Sequence, residues 1–178
     1  MLDFTEAPPL LTADDLADLE FPGPFNEVDV AVAGALVRGA CQWHVAPSVE
    51  TTLVLDTEGG RVLFLPSLHV TEVLSVTDRA GNVLDGWTWS ASGMLERTTP
   101  WPSGFRAVQV RLRHGLEKVP ADLAAVVADL AGSRAVEAAK PAGLKAKTVG
   151  NVTYQYTDAP SGDALEPYGS VLWRYRRR

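Results

Sequence analysis

One cysteine, two methionines and three histidines are all that this 178-residue sequence offers in sulfur and imidazole side chains. A lone Cys41 excludes an intrachain disulfide, and assembly in a reducing cytosol is the natural reading. No apolar run approaches the roughly 20 residues that cross a bilayer. The opening MLDFTEAPPLLTADD is acidic and broken by a proline pair, where a secretion signal is basic and then apolar. Basic residues are missing altogether from Met1 to Val30, which carries Asp3, Glu6, Asp14, Asp15, Asp18, Glu20, Glu27 and Asp29, whereas the chain finishes WRYRRR. Two ends of opposite charge suit two different neighbours, or else two solvated termini.

Catalytic and cofactor signatures are also wanting. His44, His69 and His114 are too far apart in sequence for a tight zinc pattern, and Cys41-x-x-His44 lacks the further ligands of a closed site. As nucleophile and base, Cys41 and His44 would sit three apart on one helix with no orienting group. No GxGxxG or GxxxxGK[ST] loop occurs, and Gly59-Gly60 and Gly81 read as turn glycines. Neither a cofactor nor a bound metal is expected, and the chain is not expected to be an enzyme. Trp87, Trp89 and Trp101 fit either a sugar-stacking platform or ordinary packing. Arg174, Arg176, Arg177 and Arg178 fit either nucleic acid or, mixed with Trp173 and Tyr175, a protein hot spot. With a net charge of −6 the protein partner is favoured.

What the sequence does have is a well-phased strand and helix in succession. Val108, Val110 and Leu112 alternate with Gln109, Arg111 and Arg113, His114-Gly115 closes the strand, and Pro120 with Asp122 opens a helix. Leu123, Val126, Val127 and Leu130 recur at i, i+3, i+4 and i+7, so strand and helix must share a core. Before this junction, Thr12 and Asp15 form a capping box for a short helix with Leu16 and Leu19 on its sticky side. Asn26 caps a second helix whose apolar side is read as Val28, Val32, Ala35, Leu36 and Trp43. Ala31, Gly34, Ala35, Gly39 and Ala40 leave its backbone open to close approach, by another helix of the same subunit or by a neighbouring copy.

From Glu50 the period changes to two. Residues 53–56 and 61–65 flank Thr57-Glu58-Gly59-Gly60 as a hairpin, 73–77 form a strand, and 87–89 with 94–97 form another hairpin about Ala91-Ser92-Gly93. After the long helix, TVGNVTYQYT reads as one strand, followed by a polar linker and an aromatic, arginine-rich end. The expected fold is α+β: helices over 12–20, 26–45 and 120–139 frame an antiparallel β insertion at about 50–114. A core of residues 1–142 is followed by an extended C-terminal arm, 143–178.

TADDLADL, the helix ending CQWHVAP, VLFLPSLHVTEVLSV, WTWSASGMLERTTPWP, VQVRLRHGLEKVPADLAAVVADLA and TVGNVTYQY, taken in that order, resemble the head-to-tail connector proteins of long-tailed bacteriophages, also called adaptor or head-completion proteins. The resemblance spans most of 12–156, and its weight lies in the ordered set. It implies a structural virion protein: a ring, typically of twelve copies, docked on the portal, extending the DNA channel and offering a platform to the stopper or another neck protein. Double-stranded DNA would pass without specific binding, no membrane would be involved, and the site of action would be the virion neck after assembly in the host cytoplasm. By family position, Tyr168, Leu172, Trp173, Arg174, Tyr175, Arg176, Arg177 and Arg178 are the expected portal contact. Ala31, Gly34, Ala35 and Arg38, with Arg111 and Arg113, are the expected subunit interface, the two strand arginines pairing with a neighbour's carboxylates or facing the channel. The alternative is a small binding module for a carbohydrate or host protein, built on the tryptophan-containing insertion.

Overall fold

The computed structural model describes residues 7–138, 146–149, 152–155 and 164–177. The fold is mixed α+β. Helices α1 (Ala13–Asp18) and α2 (Glu27–Cys41) lead into strands β1 (Val49–Thr57), β2 (Val62–Phe64), β3 (Val70–Asp78), β4 (Trp87–Ser90), β5 (Met94–Arg97) and β6 (Gly104–His114). Helix α3 (Ala121–Ala138), strands β7 (Ala146–Val149) and β8 (Val152–Gln155), a 3-10 turn (Glu166–Tyr168) and α4 (Gly169–Tyr175) complete the chain. It divides into two compact units interleaved in sequence: a β unit around 41–119 that takes in the chain from Tyr175, and a helical unit of 9–40 with 120–174.

In the β unit, β6 is the central strand of an antiparallel sheet ordered β1-β6-β3, and β5 is central in a second sheet ordered β2-β5-β4. The alternation expected at Val108, Val110 and Leu112 holds: all three are fully buried, opposite Leu55, Leu53 and Thr51 on β1. On the other flank, Val76 faces Val110 and Val73 faces Leu112. Strand β3 buries Val70, Val73 and Val76, a spacing of three that no regular strand permits. Register breaks between Val70 and Glu72 and between Val73 and Ser75 restore all three to the inner face. Leu63 and Leu95 of the second sheet join the same apolar cluster.

The expected hairpin joining β1 to β2 does not form. β1 pairs with β6 and β2 with β5, in separate sheets. A nine-residue strand gains a ladder along nearly its whole length against the eleven residues of β6, which outweighs a local turn onto a three-residue partner. The β4–β5 hairpin does form as expected. Its turn is locked, because Leu65 and Val70 donate backbone bonds of 2.8 Å to the carbonyls of Gly93 and Ala91. TVGNVTYQYT is two strands and not one, β7 pairing antiparallel with β8 from Ala146↔Gln155 to Val149↔Val152. Gly150-Asn151, between them in the sequence, is a dipeptide of the hairpin class.

In the helical unit the Thr12 capping box is present: the Thr12 hydroxyl accepts from the Asp15 amide at 3.1 Å and Asp15 accepts from the Thr12 amide at 2.8 Å. Leu16 is buried, but Leu19 is half exposed. α2 stops at Cys41, short of residue 45, with Gln42 in the left-handed region at φ 64°. Its buried face is also not the expected one. Val30, Ala33, Val37 and Cys41 are fully buried, while Val28, Ala35 and Leu36 are exposed. Leu10 settles the phase: a Cβ added at Gly34 would lie 3.2 Å from the Leu10 Cβ, so this glycine admits a side chain of its own subunit. α3 runs as expected, with Leu123, Val126, Val127 and Leu130 buried, and Arg134 reaches Asp29 of α2 at 3.1 Å.

Gly93 stands at φ +86°, and a Cβ there would lie 2.2 Å from the Ser67 carbonyl oxygen. Gly93→Ala is expected to cost roughly 2 kcal/mol or more through backbone strain and collision. Thermal unfolding should show a midpoint lowered by about 4 °C or more.

Candidate assembly surfaces

The outer face of the larger sheet is a charged lattice. Arg111 and Arg113 project from β6 between Glu50 of β1 and Glu72 of β3. Arg111 Nε donates to Glu50 Oε1 at 2.7 Å, and Arg113 lies 3.6 Å from both Glu50 and Glu72. Both arginines thus have carboxylate partners in their own chain. All four side chains stay a third or more exposed, and pairs of that kind contribute about 0–1 kcal/mol, so exchanging partners costs the fold little.

The interface residues expected on α2 separate into two groups. Gly34 and Arg38 are buried, and burial lowers the Arg38 pKa from its ordinary value. Ala31 and Ala35 face outward with Val28 (65% exposed), Leu36 and Gly39, an apolar stripe along most of the helix. Both sides of α2 are therefore apolar, and one of them meets no core of its own unit.

The C-terminal segment is partly tied down. In the helical unit Leu172 is buried and Arg174 donates to Asp122 at 2.7 Å. In the β unit Trp43 Nε1 donates to the Tyr175 carbonyl at 2.6 Å, and the Arg177 amide donates to the Cys41 carbonyl at 2.9 Å. Tyr168 is half-buried, its hydroxyl pKa raised by burial and then by the Asp129 carboxylate. Trp173, at 54%, Arg174 and Arg176 are the exposed members of the expected portal set. Arg178 lies outside the described residues.

Two apolar surfaces escaped the sequence reading. On the second sheet Val62, Phe64 and Met94 occupy the face opposite Leu63 and Leu95, with Phe64 67% exposed. At the start of β6 three residues, Phe105, Arg106 and Ala107, oppose Asp56 alone, a bulge in which Arg106 adopts φ 51° and its amide donates to Asp56 Oδ1 at 2.7 Å. Phe105 is left 82% exposed. The Ser103-Gly104 pair ahead of it was the available signal for a bend.

Chemistry is poorly served by the groups sequence inspection singled out. Burial pushes the Cys41 thiol up to about 11, the wrong direction for a nucleophile. His44 is buried and its Nε2 donates to the Pro47 carbonyl at 2.5 Å, which fixes the ring in the fold. Among the described residues no group of three His, Cys, Asp or Glu could hold a metal ion. Trp101 is buried, donates from Nε1 to the Arg61 carbonyl at 3.0 Å, and has the Arg97 guanidinium 4.9 Å over its ring, so it cannot stack on a sugar. Trp87 packs in part against the apolar cluster, whereas Trp89, opposite Leu95, stays 39% exposed.

His114 and His44 are both buried, their rings 5.4 Å apart. A Cβ at Gly115 would lie 3.0 Å from the His44 ring, so the His114-Gly115 junction is fitted against that imidazole. Burial, and secondarily the charge on His44, lowers His114 to about 4 from an ordinary 6.5. The native state therefore binds fewer protons than the unfolded chain between those values, and stability rises with pH through that window. Urea unfolding at stepped pH should show stability in full above about pH 6.5 and falling towards about pH 4. His114→Asn should flatten that decline relative to the parent chain.

With these surfaces described, the fold can be placed: it is of the kind built into the necks of phage-like particles. A chain in the neck of an empty gene transfer agent particle, computed with C6 symmetry, superposes with a TM-score of 0.56 at 18% identity, over 95% of this chain and 90% of that one. A chain in the neck of the native particle, computed with C12 symmetry, gives 0.53 at 18% identity over 85% and 81%. One in the virion of the native particle gives 0.57 at 16% identity over 95% and 90%. The likeness is one of fold, and it agrees with the resemblance to head-to-tail connectors. No family model and no curated protein matches the chain.

Proposed function

We propose that this protein is a non-catalytic structural subunit of a virion neck, forming a ring that docks on the portal, extends the DNA channel and carries the stopper or another neck component. The observation that carries this reading is the near end-to-end fit, 95% of this chain on 90% of a chain from a particle neck. The connector resemblance supplies the number twelve, and the C12 symmetry of one of those necks is compatible with it. A ring requires two unlike patches on each subunit. The outward stripe of α2, centred on Ala31 and Ala35, is one, and the Arg111, Arg113, Glu50 and Glu72 lattice is the other. A charge of −6 per copy gives a channel that repels the phosphates it conducts.

The portal contact falls to the arm from residue 143 onward, and within it to Trp173 and Arg176, an aromatic and a basic residue that are both exposed. Truncating the segment would damage the subunit itself, so point variants are the sharper test. Trp173→Ala combined with Arg176→Ala is expected to weaken binding to a candidate portal by roughly tenfold or more, with an unchanged circular dichroism spectrum. Undiminished binding in a titration would remove this anchor.

Ala35→Arg, on an exposed helix position, should change stability by less than about 0.5 kcal/mol. It should abolish rings in negative-stain images of the protein mixed with portal. Rings formed as readily as by the parent chain would exclude α2 from the interface.

A further inference from the structure

Strand β1 is hydrogen-bonded on one side only, to β6, and no backbone bond from a described residue reaches its other side. Its nine residues, VETTLVLDT, contain no proline and no lysine, and its one register irregularity lies at the end, between Leu55 and Thr57. A flat edge of this length is a template for a further strand unless something blunts it. Its inward side chains Leu53 and Leu55 are only partly buried, so the core beneath this edge is open as well.

The hairpin β7–β8 has the complementary deficiency. Its two four-residue strands pair with each other in a separate two-stranded sheet. A lone hairpin of that size is marginal in water and becomes stable against a third strand. Charge adds a second match. Residues 138–157 contain Lys140, Lys145 and Lys147 and no carboxylate, whereas residues 49–60 contain Glu50, Asp56 and Glu58 and no lysine or arginine, Glu50 being shared with Arg111 and Arg113 of β6.

Resting on the ring reading above, we infer that the β7–β8 hairpin of one copy adds to the free edge of β1 in the next copy, carrying the β1-β6-β3 sheet across the subunit boundary. Donor and acceptor are different parts of the chain, so the contact is heterologous and repeats around a closed ring. Main-chain bonds supply the affinity, and the basic segment around the hairpin is opposite in sign to the acidic segment around the edge. The residues that extend the sheet are also those that leave each isolated subunit incomplete.

The test uses full-length protein, mixed as 15N-labelled and unlabelled chains, assembled alone or on a portal, and treated with a carbodiimide that joins lysine to carboxylate. Mass spectrometry should find Lys145 or Lys147 coupled to Glu50, Asp56 or Glu58 as mixed-isotope pairs in the proportion random mixing gives. Like-isotope pairs alone would place the hairpin on its own chain and overturn the inference, as would assembled rings without these couplings. Replacing residues 146–155 with a Gly/Ser stretch of equal length should leave the thermal midpoint near that of the parent and eliminate rings. Rings formed by that variant as well as by the parent overturn strand addition and leave the ring reading intact. A parent chain that never self-associates, with or without portal, overturns both.

Discussion

Register along β6 is the constraint that the β unit depends on. This strand bonds on both sides, and its inward residues Val108, Val110 and Leu112 have to meet side chains from β1 and β3 together. β1 meets them with regular alternation. β3 does so only by breaking register twice, which brings Val70, Val73 and Val76 to one face despite their three-residue spacing. A one-residue slip of β6 would turn Arg111 and Arg113 into the apolar cluster and Leu112 out of it. The Glu50 and Glu72 carboxylates on the far side reinforce the correct phase, since they have cations to meet only in this alignment.

Elements whose phase is set locally could be read in the sequence. The strand ending at His114, the helix after Pro120, the Thr12 capping box and the β4–β5 hairpin all follow from near neighbours in the chain. Those decided by distant partners could not. Turn residues 57–60 favour a β1–β2 hairpin locally, but the length of β6, almost fifty residues on, decides the pairing. α2 offers Val28, Val32 and Leu36 on one side and Val30, Ala33 and Val37 on another, so hydropathy alone gives it no phase. Leu10 against Gly34 breaks the tie, and no periodicity within the helix encodes that contact.

The surface residues divide the same way. Trp173 could be picked out by its aromatic and basic setting, and it is exposed. Leu172 shares that setting yet turns inward and Tyr175 is half-buried, because a helix sends adjacent residues about 100° apart, while Arg174 stays exposed and reaches Asp122. Phe64 and Phe105 were missed for a related reason. Strand parity says which residues share a face but not which face meets the core, and a bulge resets even that parity at Arg106. The charged and aromatic groups that invited catalytic or ligand readings, Cys41, His44 and Trp101, are consumed by packing.

The bond from the Arg177 amide to the Cys41 carbonyl, with that from Trp43 to Tyr175, bears on biosynthesis. Neither compact unit is a continuous stretch: the β unit awaits the chain beyond residue 174, and the helical unit awaits 120–174. A ribosome-bound chain can therefore build the sheets while the indole of Trp43 still lacks its acceptor and the Cys41 carbonyl its donor. Those two groups are satisfied only once residue 177 has cleared the exit tunnel. Closure of the β unit therefore waits on a segment 132 residues downstream of Trp43, which delays presentation of the native subunit to any assembling partner until synthesis has passed that point.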